Sequence, residues 1–234
     1  MSGPDFSTPP KPSGCCRTWI WFVRTGAGCW RQAILCFTFS PPGTDRRDAS
    51  LSLYGERRIK AGLNPKVGSV ASVFISRWDV AVAGKIPTQL INRLGIAIAF
   101  RIYKAYVELI GSPSWQRAFN EGAIPQRLLW ASTGTKDPKA SDTLYIESLA
   151  CPLTVNTMPE GTLKAFADHG KLGATIPASG GDSETVLNEF AKAGVDVDAL
   201  AIRLQEEGAD SFDKSWNDLL KVISSKSAAL QTAA

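Results

Sequence analysis

Two polar segments, each placed directly after a short apolar run, contain residues that could bind an anion. The first reads SRWD, covers residues 76–79, and follows the run SVASVFI at residues 69–75. This run is short and rich in β-branched residues, which predicts a buried parallel strand. Side chains alternate along a strand, so Ser72, Phe74 and Ser76 are expected on one face.

Arg77 would lie just past the end of that strand. Its planar guanidinium presents a fork of N–H donors that suits a phosphate group. A surface ion pair between Arg77 and Asp79 explains the same spacing equally well, and the spacing alone does not decide between the two.

The second segment reads STGTK, covers residues 132–136, and follows the apolar run RLLWA at residues 127–131. Small residues with accessible backbone N–H groups, three hydroxyls and Lys136 favour an anion-binding loop. The segment does not match the phosphate-binding motif G-x-x-x-x-G-K-S/T. The alternative is a polar loop that caps a following helix.

Other reactive residue types are better explained structurally. His169 precedes a glycine at a predicted helix end, where it would interact with the helix dipole, and Cys151 precedes a proline in an apolar stretch typical of a packed thiol. One histidine distant from four N-terminal cysteines does not indicate a zinc site. No serine lies in a G-x-S-x-G context, so a catalytic triad is not predicted.

The elements that must position these residues alternate between strands and helices. Leu94, Ile98 and Ile102 recur at four-residue steps and predict a long helix over residues 90–110. Thr157 and Glu160 have the spacing of a capping box, which predicts a helix start. The predicted strands are residues 69–75, 127–131 and 153–155, and the predicted helices are residues 54–62, 90–110, 114–121, 144–149, 157–168, a segment from 183, 198–207 and 211–224. This order is typical of a parallel α/β protein, in which ligands bind at the carboxyl ends of the strands. Two anion-competent segments at successive strand ends would then lie on one rim.

Composition excludes several classes of protein. The chain has 234 residues, 44% of them hydrophobic, and a net charge of only +4 without a long basic cluster, so a nucleic-acid surface is not indicated. No apolar run reaches the roughly 18 residues of a membrane span, and none resembles a signal peptide. A cytoplasmic protein that contacts neither membrane nor nucleic acid is expected.

Residues 1–50 differ from the rest of the chain. Residues 1–14 contain four prolines and predict a disordered leader, while residues 15–50 combine three tryptophans, four cysteines and five arginines without a hydrophobic period. Such a composition is typical of an out-of-frame translation of a GC-rich gene. A real but unusual N-terminal extension is the alternative, and residues 1–50 remain unassigned.

From about residue 54 to residue 230 the chain resembles bacterial transaldolases, in the branch that also occurs fused to phosphoglucose isomerase. The resemblance rests on five long blocks: VGSVASVFISRWD, NRLGIAIAFRIYKAY, PQRLLWASTGTKDPKASD, LTVNTMPEGTLKAFADHG and SFDKSWNDLLKVISSKSAAL. It implies a (β/α)8 barrel enzyme of the pentose phosphate pathway. Such enzymes transfer a dihydroxyacetone unit from sedoheptulose 7-phosphate to glyceraldehyde 3-phosphate through a lysine Schiff base, without a metal or organic cofactor. Sugar phosphates are the implied partners, and association with phosphoglucose isomerase is implied by analogy only.

The resemblance also implies roles for individual residues. Ser72 matches a substrate-facing serine on the sixth barrel strand, Phe74 the neighbouring aromatic residue, and Arg77 the arginine that binds the substrate phosphate. Lys136, after the seventh strand, takes the place of a second phosphate ligand.

The catalytic lysine of the family has no counterpart. It lies in a K-I/V-P-A-T context on the fourth barrel strand, upstream of every recognisable block. Lys85 begins the similar sequence KIPT but follows the sixth strand, so it is not expected to be the nucleophile. We therefore expect an incomplete barrel holding about strands six to eight with extra C-terminal helices, truncated and inactive. A non-catalytic sugar-phosphate-binding or partner-binding fragment is the alternative, and the sequence leaves open whether this chain is itself an enzyme.

Overall fold

The computed structural model of the protein describes residues 18–25, 29–37, 58–66, 68 and 70–232. The strands are β1 (Thr18–Thr25), β2 (Cys29–Phe37), β3 (Val70–Phe74), β4 (Arg127–Ala131) and β5 (Thr154–Asn156). The helices are α1 (Ser76–Val82), α2 (Leu94–Gly111), α3 (Pro113–Asn120), α4 (Leu144–Ser148), α5 (Glu160–His169), α6 (Ser183–Lys192) and α7 (Val197–Thr232), with a short 3-10 turn at Thr88–Leu90. None of the helices in this part of the chain is long and apolar enough to cross a membrane.

The strands form one sheet in the order β1-β2-β3-β4-β5. Strands β2 to β5 run parallel to one another, and β1 pairs antiparallel with β2. The ladder between β3 and β4 continues past both strands, because Ile75 N donates to Ala131 O at 2.9 Å and Ser76 N donates to Ser132 O at 3.1 Å. The α/β class with a parallel sheet is therefore confirmed, and the two predicted anion-binding segments leave the same edge of the sheet.

Two apolar clusters hold the helices on the sheet. In the first, Val73 of β3, Ile75 just after β3, and Trp130 of β4 pack beneath α2 and are fully buried. The second lies at the carboxyl edge and joins α1, α2, α6 and α7. Its members include Trp78, Val82, Leu94, Ile98, Leu187, Phe190, Leu200, Ala201 and Leu204. Burying each large apolar side chain contributes roughly 1.5–3 kcal/mol, so the second cluster is what keeps α7 against the sheet edge.

Helix α7 runs through Gly208 without a break. The prediction that Gly208 ends one helix before another begins at residue 211 is wrong. A glycine inside a helix costs about 1 kcal/mol relative to alanine, which is why the sequence suggested a stop. Leu200 and Leu204, which precede the glycine, are buried, and Gly208 is itself buried beside Arg77. The packing of α7 therefore outweighs the low helix propensity of Gly208.

The capping box at Thr157 is also wrong. The Thr157 hydroxyl donates to Trp130 O at 3.1 Å, and α5 begins three residues later after Pro159, without a side-chain cap. The Thr157 hydroxyl is thus bound to the carbonyl oxygen of a neighbouring strand and not to the helix, and the sequence pattern does not show this partner. By contrast, Gly62 takes φ +65° and ends a helical turn at residues 58–60, as expected.

Residues 1–14, the predicted leader, lie outside the described residues. The sequence shows no hydrophobic period between residues 15 and 50, yet the structure places β1 and β2 within that range. The assignment of residues 1–50 to an out-of-frame segment or to a real extension stays a prediction, as does the boundary at residue 51.

Candidate functional site

A cavity of about 600 Å³ lies at the carboxyl ends of β3 and β4. Among the described residues, its wall combines two cationic side chains, two hydroxyls, one carboxylate and three apolar side chains. These belong to Arg77, Lys136, Ser76, Ser132, Glu207, Val80, Ala81 and Leu204. The structure thus brings Arg77 and Lys136 into one cavity, although 58 residues of chain separate them.

Arg77 is held between aromatic and helical neighbours. Its guanidinium carbon lies 4.3 Å from the centre of the Phe74 ring, in a cation–π contact that stabilises the charge. The Phe74 ring in turn lies 6.4 Å from the ring of Phe212 on α7. A Cβ atom on Gly208 would lie 3.5 Å from Nη1 of Arg77, so α7 passes close to the guanidinium. These contacts limit where the Arg77 side chain can point.

The ion pair between Arg77 and Asp79 does not form. Asp79 is only 7% exposed and its carboxylate accepts three hydrogen bonds: from Leu94 N at 2.9 Å, Gly95 N at 3.2 Å and Tyr145 Oη at 2.8 Å. Within the described part of the chain, no carboxylate lies within 4.0 Å of the Arg77 guanidinium. The structure therefore favours the interpretation in which Arg77 is available to an external anion.

Asp79 fixes the elements around Arg77. It accepts from the first N–H groups of α2, where a carboxylate is favoured by the helix dipole, and from a tyrosine of α4. Burial raises the pKa of the Asp79 carboxyl, and the hydrogen bonds from Tyr145, Gly95 and Leu94 act in the opposite direction. Burial and the adjacent carboxylate raise the pKa of Tyr145 far above its ordinary value, so the phenol remains a donor. No local sequence pattern indicates this network, because Tyr145 lies 66 residues from Asp79.

The loop that carries Lys136 is anchored residue by residue. Ser132 takes φ +56°, and its Oγ lies 2.8 Å from Oγ of Ser76. The buried Thr133 hydroxyl donates to Thr157 O at 2.8 Å. Gly134 fits tightly, since a Cβ atom there would lie 3.1 Å from the Pro159 ring.

The loop does not cap the next helix. Helix α4 begins at Leu144 and its N-cap, Thr143, makes no side-chain capping bond. Thr135 donates instead to Ser141 O at 2.7 Å, and Lys136 is exposed. The helix-capping alternative for residues 132–136 is therefore excluded, and the anion-binding interpretation remains.

Ser72 and Phe74 take positions different from Arg77 and Lys136. Among the described residues, neither belongs to the lining of the cavity. Ser72 is buried in the middle of β3, opposite Leu129 of β4. Phe74 is half-buried and contacts Arg77. Their direct contact with a substrate stays a prediction.

The residues with structural interpretations lie away from the cavity. His169 is the last residue of α5, and its ring nitrogens lie 2.9 Å from Asp142 and 3.2 Å from Asp168, which together raise the pKa of the imidazole. Cys151 is half-buried, and burial raises the pKa of its thiol. Lys85 is exposed in the turn after α1. In the described ranges, no group of three or more His, Cys, Asp or Glu residues is arranged to hold a metal ion.

Among the described residues, the sequence patterns did not identify Val80 and Ala81 of α1, nor Leu204 and Glu207, as lining the cavity. The more distant pair is Leu204 and Glu207. They come from α7, about 130 residues after Arg77, and no local pattern connects them with the strand ends.

A family model described as transaldolase/fructose-6-phosphate aldolase matches residues 31–223. The chain belongs to this family.

Individual relatives agree. A transaldolase of Parafrankia sp. (strain EAN1pec) is 44% identical over 177 residues, which cover 72% of this chain and 48% of the relative. A transaldolase of Neisseria meningitidis serogroup C is 42% identical over 165 residues, covering 70% of this chain and 47% of the relative. The chain thus spans about half the length of the curated relatives it matches. The family match begins at residue 31, inside the segment that sequence patterns left unassigned.

Proposed function

We propose that this chain carries the phosphate-binding part of a transaldolase site. Arg77 and Lys136 bind the phosphate group of a sugar phosphate, and the hydroxyls of Ser76 and Ser132 add hydrogen bonds. The observation that carries the proposal is their convergence in one cavity at the carboxyl edge of a parallel sheet, where α/β proteins bind ligands.

The electrostatics of the cavity support a phosphate ligand. Arg77 offers paired N–H donors from a fixed position over the Phe74 ring, whereas Lys136 brings a mobile charge from a fixed loop. The combination of a guanidinium fork and an ammonium point charge is suited to a dianion. A neutral ligand would leave both cations without partners.

The full reaction needs a residue outside this cavity. In a transaldolase, transfer of a dihydroxyacetone unit from sedoheptulose 7-phosphate to glyceraldehyde 3-phosphate proceeds through a lysine Schiff base, and the motif K-I/V-P-A-T does not occur in the 234 residues. Lys85 is exposed and does not line the cavity. We therefore propose that this chain binds sugar phosphates but does not form the iminium.

We also propose features that membership of the family implies. Strands β3, β4 and β5 correspond to strands six, seven and eight of a (β/α)8 barrel, with α7 as an added C-terminal helix. The reaction uses no metal or organic cofactor and takes place in the cytoplasm, and the branch includes fusions with phosphoglucose isomerase.

A non-catalytic sugar-phosphate-binding fragment is the second candidate. It is favoured by one observation: among the described residues, Lys136 is the single lysine that lines the cavity, and the proposal assigns it to the phosphate. The two candidates share the phosphate site and differ in whether an iminium ever forms on this chain.

Calorimetric titration of the chain with inorganic phosphate tests the site. A hydrogen bond to a charged group contributes roughly 1.5–3 kcal/mol, so Arg77→Ala should weaken binding about tenfold to a hundredfold, and Lys136→Ala should weaken it to a smaller extent. Lys139→Ala is the matched control, because Lys139 is an exposed lysine three residues away that does not line the cavity. Equal affinity in wild type and Arg77→Ala would refute the phosphate site.

Borohydride reduction in the presence of a ketose phosphate separates the two candidates. A covalent adduct would show that a lysine of this chain forms the Schiff base, contrary to the proposal. An unmodified chain that still binds phosphate would support the non-catalytic role.

A further inference from the structure

One carboxylate lies in the wall of a cavity that is otherwise suited to an anion. Glu207 projects from α7 into the same lining as Arg77 and Lys136. Its Oε1 lies 3.5 Å from Arg203 Nε on the same helix, and these side chains are 61% and 49% exposed. Exposed pairs of this kind contribute little to stability, so the pair does not account for the position of Glu207 in the cavity wall.

The position of Glu207 is set by the packing of α7. Leu200, Ala201 and Leu204 are buried in the cluster that joins α7 to α1 and α6. Leu204 and Glu207 are three residues apart and therefore lie on one face of the helix. Gly208, the next residue, is where α7 comes close to Arg77. The packed helix thus places Glu207 in the wall of the cavity that Arg77 and Lys136 also line.

A carboxylate at this place discriminates between ligands. It accepts hydrogen bonds and cannot donate them, so it favours a neutral hydroxyl and repels a second anionic group. We propose that Glu207 determines the ligand class of the cavity: a polyhydroxylated molecule with a single phosphate, whose hydroxyl chain faces α7. A bisphosphate places its second charge against Glu207 and is disfavoured. This inference rests on the proposed phosphate site and adds the group that selects among phosphates.

A purely structural role for Glu207 makes a different prediction. If the side chain served only the helical pair with Arg203, its replacement would change the stability of α7 slightly. The affinity for every phosphate ligand would then stay the same or fall together. A selecting carboxylate instead changes the affinities of different phosphates in opposite directions.

Titration calorimetry with three probes on the 234-residue chain tests the inference. The probes are inorganic phosphate, fructose 6-phosphate and fructose 1,6-bisphosphate. In Glu207→Gln the affinity for fructose 6-phosphate should fall about threefold to tenfold, because a charge-assisted hydrogen bond is replaced by a neutral one. The affinities for inorganic phosphate and for the bisphosphate should rise about twofold to fivefold, because a repulsive charge is gone.

Glu206→Gln is the matched control. It makes the same change of charge one residue earlier, at an exposed position outside the cavity lining, and should leave all three affinities unchanged. Changes of the same sign for all three probes, or identical behaviour of the two glutamine variants, would overturn the role of Glu207. If Arg77→Ala loses phosphate while Glu207→Gln resembles wild type, this inference fails and the phosphate site stands. If the wild-type chain binds none of the probes, both fail.

Discussion

Gly95 at the start of α2 is predicted to be intolerant of even the smallest side chain. A Cβ atom at this position would lie 2.7 Å from Oδ2 of Asp79, 2.7 Å from the carbonyl oxygen of Ile75 and 3.0 Å from Cγ2 of Ile75. Two of these atoms cannot move easily. The Ile75 oxygen belongs to the backbone just after β3, and the Asp79 carboxylate accepts three hydrogen bonds through its two oxygens. Gly95→Ala must therefore displace α2 or break the Asp79 network.

The magnitude follows from opposing effects. Alanine in a helix gains at most about 1 kcal/mol over glycine through propensity. Overpacking costs about 1–3 kcal/mol, and a weakened hydrogen bond to a buried carboxylate costs about 1–3 kcal/mol more. The net expectation is a loss of about 1–5 kcal/mol in the free energy of unfolding.

Urea denaturation followed by circular dichroism measures this loss, and α2 supplies its own control. Gly111, the last residue of α2, has no atom within 4 Å of an added Cβ. Gly111→Ala should be neutral or stabilise the protein by up to about 1 kcal/mol. The same substitution at two ends of one helix is thus predicted to have opposite signs. Equal effects at both positions would refute the reasoning from Cβ distances.

The remaining predictions concern titration. The single histidine, His169, has its pKa raised by Asp142 and Asp168, so its proton NMR titration midpoint should lie above 6.5 and move back toward 6.5 in Asp142→Asn but not in Asp198→Asn. Protonated His169 therefore stabilises the folded state fully at pH values below 6.5, and this contribution is lost as the pH rises through the folded-state pKa of His169. Because burial raises the pKa of Asp79, the folded state holds this proton more strongly than the unfolded chain does. The advantage of wild type over Asp79→Asn in urea unfolding should therefore shrink as the pH rises above 3.8, and an advantage independent of pH would contradict it.

Local patterns were sufficient for the elements that carry the cations. The runs before Arg77 and Lys136 are short, apolar and bounded by polar residues, and they form β3 and β4 close to the predicted positions. The rule that parallel strands present their carboxyl ends at one edge then predicted that the two residues meet. The cavity around Arg77 and Lys136 confirms that they do.

The other half of the cavity wall depends on contacts between distant segments. Leu204 and Glu207 lie within the predicted helix 198–207, but their residue types do not show that this helix packs against α1 and α6 beside the strand ends. The role of Asp79 was also hidden, since its partners Gly95 and Tyr145 are distant in sequence and equally common in unrelated contexts. In both cases the information lies in packing between elements and not in the local pattern.

The continuation of the β3–β4 ladder past both strands bears on the entropy of binding. Ser76 and Ser132 are joined by backbone and hydroxyl contacts. Arg77 follows Ser76 directly, and the hydrogen bonds of Thr133 and Thr135 hold the loop between Ser132 and Lys136. The backbone beneath the two cations is therefore preorganised. Immobilising a long side chain on binding costs about 0.5–1.5 kcal/mol, and here that cost applies to two side chains and to no loop. An anion that enters the cavity meets a frame whose dimensions are already set, and only the guanidinium and ammonium groups lose freedom.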